Sequence, residues 1–97
     1  MNKGLNLGYM ITDIQTTPNP RARKLIVSPM PGRIVSVINR DAGSDDPLAS
    51  AILSCEGVQS VLVHMEFVSV VFDEQTKWAP LKKQIGIAIG AIGAADG

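Results

Sequence analysis

Two proline clusters, Pro18-Asn19-Pro20 and Ser28-Pro29-Met30-Pro31-Gly32, govern what the first third of this chain can become. Proline offers no amide to a ladder or a helix, and it forces the preceding residue out of the helical region. Each cluster therefore ends whatever run precedes it and leaves a rigid, extended turn. The runs between are short and β-branched. Met10 to Thr17 alternates weakly through Ile11, Thr12, Ile14, Thr16 and Thr17 and reads as a strand. Arg23 to Val27 reads as a second. Arg33 to Asn39, with Ile34, Val35, Val37 and Ile38, supplies a possible third, followed by a loop at Asp41-Ala42-Gly43-Ser44.

Beyond residue 45 the period changes. Asp46 is suited to accept the orphan amides of a helix start, and Pro47 to the first helical position. Leu48, Ala51, Ile52 and Cys55 then share one face of a short helix, and Gly57 is a natural left-handed stop. Val58 to Val63 and Phe67 to Phe72 are strand-rich runs separated by His64-Met65-Glu66, a hairpin-length connection. A last helix is expected to start near Thr76 as N-cap, with a buried stripe of Trp78, Leu81, Ile85, Ile89 and Ile92. Gly86, Gly90 and Gly93 interrupt it. Each costs up to about 1 kcal/mol relative to alanine, so the helix is expected to fray toward its end unless small residues allow close packing.

Strand runs joined by hairpin-length loops imply an antiparallel sheet with the helices gathered on one face. The expected fold is α+β, a two-layer sandwich of order β-β-(β)-α-β-β-α. Residues 10–93 form the single domain, with 1–9 a flexible N-terminal tail and 94–97 a flexible C-terminus. A chain of 97 residues with 45% hydrophobic content has material for one core and not two. Aromatics are only 4%, so that core must be aliphatic.

Formal net charge is zero, but residues 1–40 carry six cations against Asp13 alone, and the remainder three lysines against eight acids. The two halves either pack with their fields cancelling or leave a basic face for an anionic partner. The sequence pI near 6.5 argues against general nucleic-acid binding. One cysteine excludes an internal disulfide framework and fits a reducing compartment. No secretory leader, transit peptide or run of about 20 apolar residues is visible. A cytoplasmic protein with no membrane association is expected.

Three signatures occur in a fixed order: Thr17-Pro18-Asn19-Pro20 with Lys24; Asp46-Pro47-Leu48-Ala49 leading through Ile52 and Leu53 to Gly57-Val58; and Phe67-Val68-Ser69-Val70 followed by Trp78, Leu81-Lys82, Ile85 and Ile89. Together they resemble the N-terminal domain of Nfu/NifU-type iron–sulfur scaffold proteins, from about Ile11 to about Ile92. The resemblance implies the same topology and a link to iron–sulfur cluster assembly. It also implies that cluster binding belongs to a Cys-x-x-Cys in a separate C-terminal domain, which this sequence does not contain. The chain departs from the family pattern at Phe72, near where a lysine is usual, and at His64-Met65-Glu66, where Gly, Pro and Asp are usual. An apolar surface at Phe72 is the consequence expected, and with it a partner or dimer contact.

The residues that invite chemistry are few. Cys55 is alone, whereas a cluster needs about four thiolate-type ligands; its place on the apolar stripe makes it a core residue. His64 has no companion histidine and is expected at a solvent-exposed turn. No phosphate loop, catalytic carboxylate pair or Ser-His-Asp order is present, so an enzyme is not expected, nor any cofactor or metal site.

The functional candidate is the segment Pro18, Asn19, Pro20, Arg21, Arg23 and Lys24. As plain structure it is a turn with solvated charges. As function it is a recognition surface: prolines reduce the entropy lost on binding, and the cations donate to carboxylate or phosphate. Three readings follow. One is a non-catalytic accessory module of iron–sulfur assembly, monomer or weak dimer, that binds assembly or client proteins without holding a cluster. Another is an anion- or phosphopeptide-binding module unrelated to that pathway. The third, a weak iron binder, lacks soft ligands. Anaerobic reconstitution of the purified chain with iron and sulfide should yield no stable absorbance near about 400 nm. A stoichiometric cluster that survives desalting and disappears in Cys55→Ser would contradict this.

Overall fold

In the computed structural model, which describes residues 8–92, the elements are β1 (Met10–Thr16), β2 (Ala22–Ser28), β3 (Val35–Val37), a 3-10 turn (Arg40–Ala42), α1 (Pro47–Leu53), β4 (Val58–Val63), β5 (Phe67–Phe72) and α2 (Trp78–Gly90). The chain is α+β. Its five strands form one antiparallel sheet in the order β1-β2-β5-β4-β3. The tails expected within residues 1–7 and 94–97 lie outside the described residues, as does Gly93.

Alternation sets which face of the sheet is buried. Leu25 and Val27 on β2, Val68, Val70 and Phe72 on β5, Val61 and Val63 on β4 and Val37 on β3 all point to one side, and all are buried. α1 lies over β4 and against α2, which in turn reaches β1. Two strands carry apolar residues spaced three apart, which strict alternation would send to opposite faces. Each is corrected by a register shift. One falls between Ile11 and Asp13, and lets Ile11 and Ile14 both pack against the core. The other falls between Val58 and Ser60, and lets Val58 and Val61 both be buried. A β-bulge adds one residue to one strand, and the side-chain phase flips with it.

The helix stripes are mostly as expected, with informative shifts. In α1 the buried residues are Leu48, Ala49, Ile52 and Leu53, while Ala51 is half-buried. Cys55 is buried but lies beyond the helix, after the Ser54 cap, where its thiol still approaches the Ala51 carbonyl at 3.7 Å. Burial raises the thiol pKa. In α2 Leu81, Ile85 and Ile89 are buried, and Trp78 and Ile92 pack at the margins of the core. The helix holds to Gly90 despite its glycines. Thr76 is not its N-cap. Lys77 occupies that position with no side-chain hydrogen bond, and the Thr76 hydroxyl instead donates to Asp73 Oδ1 at 2.7 Å.

Gly57 has φ +97°, and a Cβ there would run into the Thr76 side chain. Glycine is thus required twice over, by conformation and by the approach of the β5–α2 loop. The third strand is shorter than the apolar run that predicts it. Only Val35–Val37 pairs with β4, and Ile34 and Ile38 on either side are exposed. The loop expected after it includes the short 3-10 turn.

Phe72 overturns the expectation of an apolar surface. It is 4% exposed and stacks on Trp78 with ring centroids 5.5 Å apart. On β5 the even-numbered residues face the helices, so position 72 belongs to the core whatever residue fills it; the apolar ring on the uncovered face is Phe67.

The α1 start is doubly tied. Asp46 Oδ2 accepts the Ala49 amide at 3.0 Å, and Oδ1 accepts Arg33 Nε at 2.5 Å. Arg33 also donates to the Pro31 carbonyl, and more weakly to the Tyr9 hydroxyl. One carboxylate thereby joins the helix to the proline-rich loop before β3. Burial works to raise the Asp46 pKa, but the Arg33 and backbone hydrogen bonds outweigh it and leave the group below its ordinary value. A depressed folded value means that the carboxylate stabilises the fold above its unfolded pKa of about 3.9 and loses that contribution as pH falls through the folded value. Asp46→Asn keeps a cap acceptor and removes the charge. Its melting temperature should fall below wild type at pH about 7, and the gap should close as pH drops below about 4. A gap unchanged in acid, measured by calorimetry across that range, would show that the charge is not the source.

Candidate functional site

The β1–β2 connection is built by its own polar side chains. The Thr17 hydroxyl accepts the Asn19 amide at 3.1 Å and lies 2.9 Å from the Asn19 carbonyl, to which it donates. Asn19 Oδ1 accepts the Arg21 amide at 2.9 Å, and the Asn19 carbonyl accepts the Ala22 amide at 3.0 Å. These are the side-chain-to-backbone turns that Thr and Asn favour. With φ fixed at Pro18 and Pro20, little freedom is left between the two strands. Pro18, Asn19, Pro20 and Arg21 are nevertheless all exposed.

The three cations diverge. Arg21 turns toward the β5–α2 loop, where Nη1 meets Glu74 Oε2 at 3.1 Å across an exposed ion pair. Its carbonyl accepts the Phe72 amide. Arg23 belongs to the helix-covered side of β2. Its guanidinium lies 5.2 Å from the Trp78 ring centroid and 5.5 Å from that of Phe72, and Nη1 donates to the carbonyls of Pro20 and Ala22. Lys24, one residue on, points to the uncovered face, with Nζ 4.3 Å from the centre of the Phe67 ring. Arg21 and Arg23 therefore flank the turn, while Lys24 is displaced to the other side of the sheet.

Two features of this region carried no signal in the sequence. The first is the acidic neighbour. Asp73, Glu74 and Gln75 join Arg21 and Gln59 around a polar hollow of about 410 Å³, so the basic turn faces an acidic loop 53 residues away in sequence. The Asp73 pKa is lowered, chiefly by the Thr76 hydroxyl, against slight burial, with smaller contributions from the Gln75 and Thr76 amides and Arg21. The second is His64. Expected as a solvent-exposed turn residue, it is half-buried and stacks on Phe67 with ring centroids 4.5 Å apart. Its Nδ1 is buried without a hydrogen-bond partner. The strand phase explains this: positions 60, 62 and 64 follow one another on the uncovered face, which brings the imidazole onto the Phe67 ring. Lys24, Phe67 and His64 thus form one column there. Among the described residues no group of three or more His, Cys, Asp or Glu side chains is placed to hold a metal ion. No described helix is long and apolar enough to cross a membrane.

The comparisons agree with this architecture. Residues 11–95 match the family described as scaffold protein Nfu/NifU, N-terminal. The chain belongs to that family. The crystal structure of protein SAV1430 from Staphylococcus aureus is similar at a TM-score of 0.67 and 26% identity, covering 81% of this chain and 96% of that one. The solution structure of the same protein gives 0.63 and 25%, covering 81% and 88%. A Staphylococcus epidermidis protein solved by NMR shares the fold at 0.53 and 23%, covering 77% and 88%. A comparison with curated proteins finds no match.

Arg23 is the residue that ties the turn to the core. Guanidinium–aromatic contacts are worth roughly 0.5–1 kcal/mol at accessible sites. In a double-mutant cycle, Arg23→Ala and Trp78→Ala should couple by about that amount, read from urea unfolding. Arg21→Ala, which breaks only an exposed ion pair, should change stability by less than about 0.5 kcal/mol. Zero coupling between positions 23 and 78 would show that the stack contributes nothing.

Proposed function

We propose that this chain is a non-catalytic interaction module in iron–sulfur cluster assembly, binding a scaffold or client protein through the turn at Pro18, Asn19, Pro20 and Arg21, with Arg23 beside it and Lys24 on the opposite face of the sheet. The observation that carries the reading is that a turn this thoroughly fixed exposes its most distinctive residues. Thr17 and Asn19 use their side chains to lock the backbone, and Pro18, Pro20 and the Arg21 head are left facing solvent. A pre-formed, exposed turn loses little entropy when it is bound. Membership of the Nfu/NifU N-terminal family supports the pathway. The lone cysteine, buried and with its pKa raised, supports a role that leaves cluster chemistry to another domain or protein.

Arg21 and Glu74 refine what such a partner must offer. The ion pair is exposed and therefore weak, so a partner carboxylate can replace Glu74 at little cost. The reading places the protein in the cytoplasm, where its thiol stays reduced and the assembly machinery operates. It assigns residues 10–93 to the one interacting domain.

The test is capture of purified cysteine desulfurase and scaffold proteins by immobilised chain. The double substitution Arg21→Glu with Lys24→Glu should keep the circular dichroism spectrum and cooperative melting of wild type while capture falls, most at low salt where steering is strongest. Undiminished capture by a folded double variant would move the binding face elsewhere. An unfolded variant would make the cations structural. A variant that loses a phosphopeptide while still capturing assembly proteins would favour the anion-binding alternative.

A further inference from the structure

A second surface, independent of the turn, lies along the outer edge of β1. β1 pairs with β2 alone and forms one border of the sheet. Beside it runs α2, and between them is a groove of about 550 Å³ whose walls are Tyr9, Met10 and Ile11 on one side and Ala79, Lys82, Lys83 and Gly86 on the other. It continues past Thr12 and Asp13 to Ile14, with Lys82 again on its wall. Ala79, Lys82, Lys83 and Gly86 fall at i, i+3, i+4 and i+7 on α2, so they form a single face, adjacent to the stripe that fills the core.

Three observations bear on what the groove accepts. Glycine inside a helix is unfavourable, yet a Cβ at Gly86 would meet nothing within 4 Å. No packing within the domain accounts for it, and its effect is to leave the groove open. Lys82 and Lys83 are exposed, and neither pairs with a carboxylate among the described residues. The near end of the β1 edge also carries no strand. The Tyr9 amide is used by the Ile89 carbonyl at 2.9 Å, and beyond it no backbone bond joins Met10–Thr16 to any described element besides β2. Asp13 stands at the far end, where its carboxylate accepts the Ile14 amide and the Gln15 side chain. Together with the bulge at Thr12 this closes that end to strand addition and leaves Met10 and Ile11 as the receptive stretch.

We propose that this groove binds an extended, acidic peptide segment of another protein. The segment lies along Met10 and Ile11, its apolar side chains on Ile11 and Gly86 and its carboxylates on Lys82 and Lys83. An exposed strand edge offers backbone groups to an extended chain, and side-chain pockets beside it supply selectivity. A second copy of this chain is a poorer match, because β1 brings a single acid, Asp13, already engaged with its own neighbours.

The probe is a fluorescein-labelled peptide of eight alternating Glu and Val residues, with the Lys–Val peptide as its counterpart. The Glu–Val peptide should bind saturably. Amide NMR shifts should concentrate in Met10, Ile11 and Ala79–Gly86, not at Pro18–Lys24. Lys82→Glu with Lys83→Glu should weaken it by about tenfold or more and confer binding of the Lys–Val peptide. Gly86→Leu, whose Cβ enters open space, should block the Glu–Val peptide with the charges intact. The proposal is overturned by no saturable binding of the Glu–Val peptide at up to about 1 mM, by unchanged affinity on charge reversal, or by shifts confined to other surfaces. Sedimentation showing a dimer that the peptide dissociates would make the groove a self-interface and overturn it equally.

Discussion

Everything in this domain depends on keeping one face of a five-stranded sheet apolar over its full width. Side chains alternate strictly along a strand, so a one-residue slip would carry a strand's whole apolar set to the wrong side. β2 and β5 meet the requirement without irregularity, and their pairing places Leu25 beside Val68 at the centre. β1 and β4 do not, and each is brought back into phase by a register shift. The extra residues, near Thr12 and at Gln59, face outward. With the phase restored, Ile11, Ile14, Val58 and Val61 join the surface that the helices cover. Leu81, Ile85 and Ile89 of α2 then add buried aliphatic side chains, each worth roughly 1.5–3 kcal/mol relative to exposure.

The same strand phase decides what the surface displays. It turns Phe72 inward onto Trp78 and leaves Phe67 outward beneath Lys24 and His64. It separates Arg23 from Lys24, one stacking at the rim of the core and the other on the open face. The turn that carries the proposed recognition residues is consequently continuous with the core. Thr17 and Asn19 fix its backbone, and Arg23 fastens its second strand to the aromatic pair.

Local signals in the sequence were sufficient wherever a local constraint was at work. Asp46-Pro47 marked the α1 start, Gly57 the left-handed turn, and the spacing of Leu81, Ile85 and Ile89 the buried side of α2. What could not be read was non-local or depended on phase. Bulges are invisible to a period-two count, and their only trace was a three-residue spacing of apolar side chains. The family pattern points to an exposed position 72, but alternation along β5 turns Phe72 into the core. Thr76 resembled a cap, but its hydroxyl had a better acceptor in Asp73. At the proposed site the turn itself was legible, since prolines and Asx chemistry act within five residues. Its surroundings were not: Glu74 reaches Arg21 only through the pairing of β2 with β5.

The central claim is that the Thr17–Lys24 segment is a pre-formed element of the rigid domain and not a loose loop carrying charges. Backbone 15N relaxation across Met10–Val27 tests this most directly. The account predicts order parameters at Asn19, Arg21 and Ala22 near the rigid-backbone level of about 0.85, continuous with Leu25 in the central strand. Values below about 0.6 at those amides, against a rigid Leu25, would contradict it.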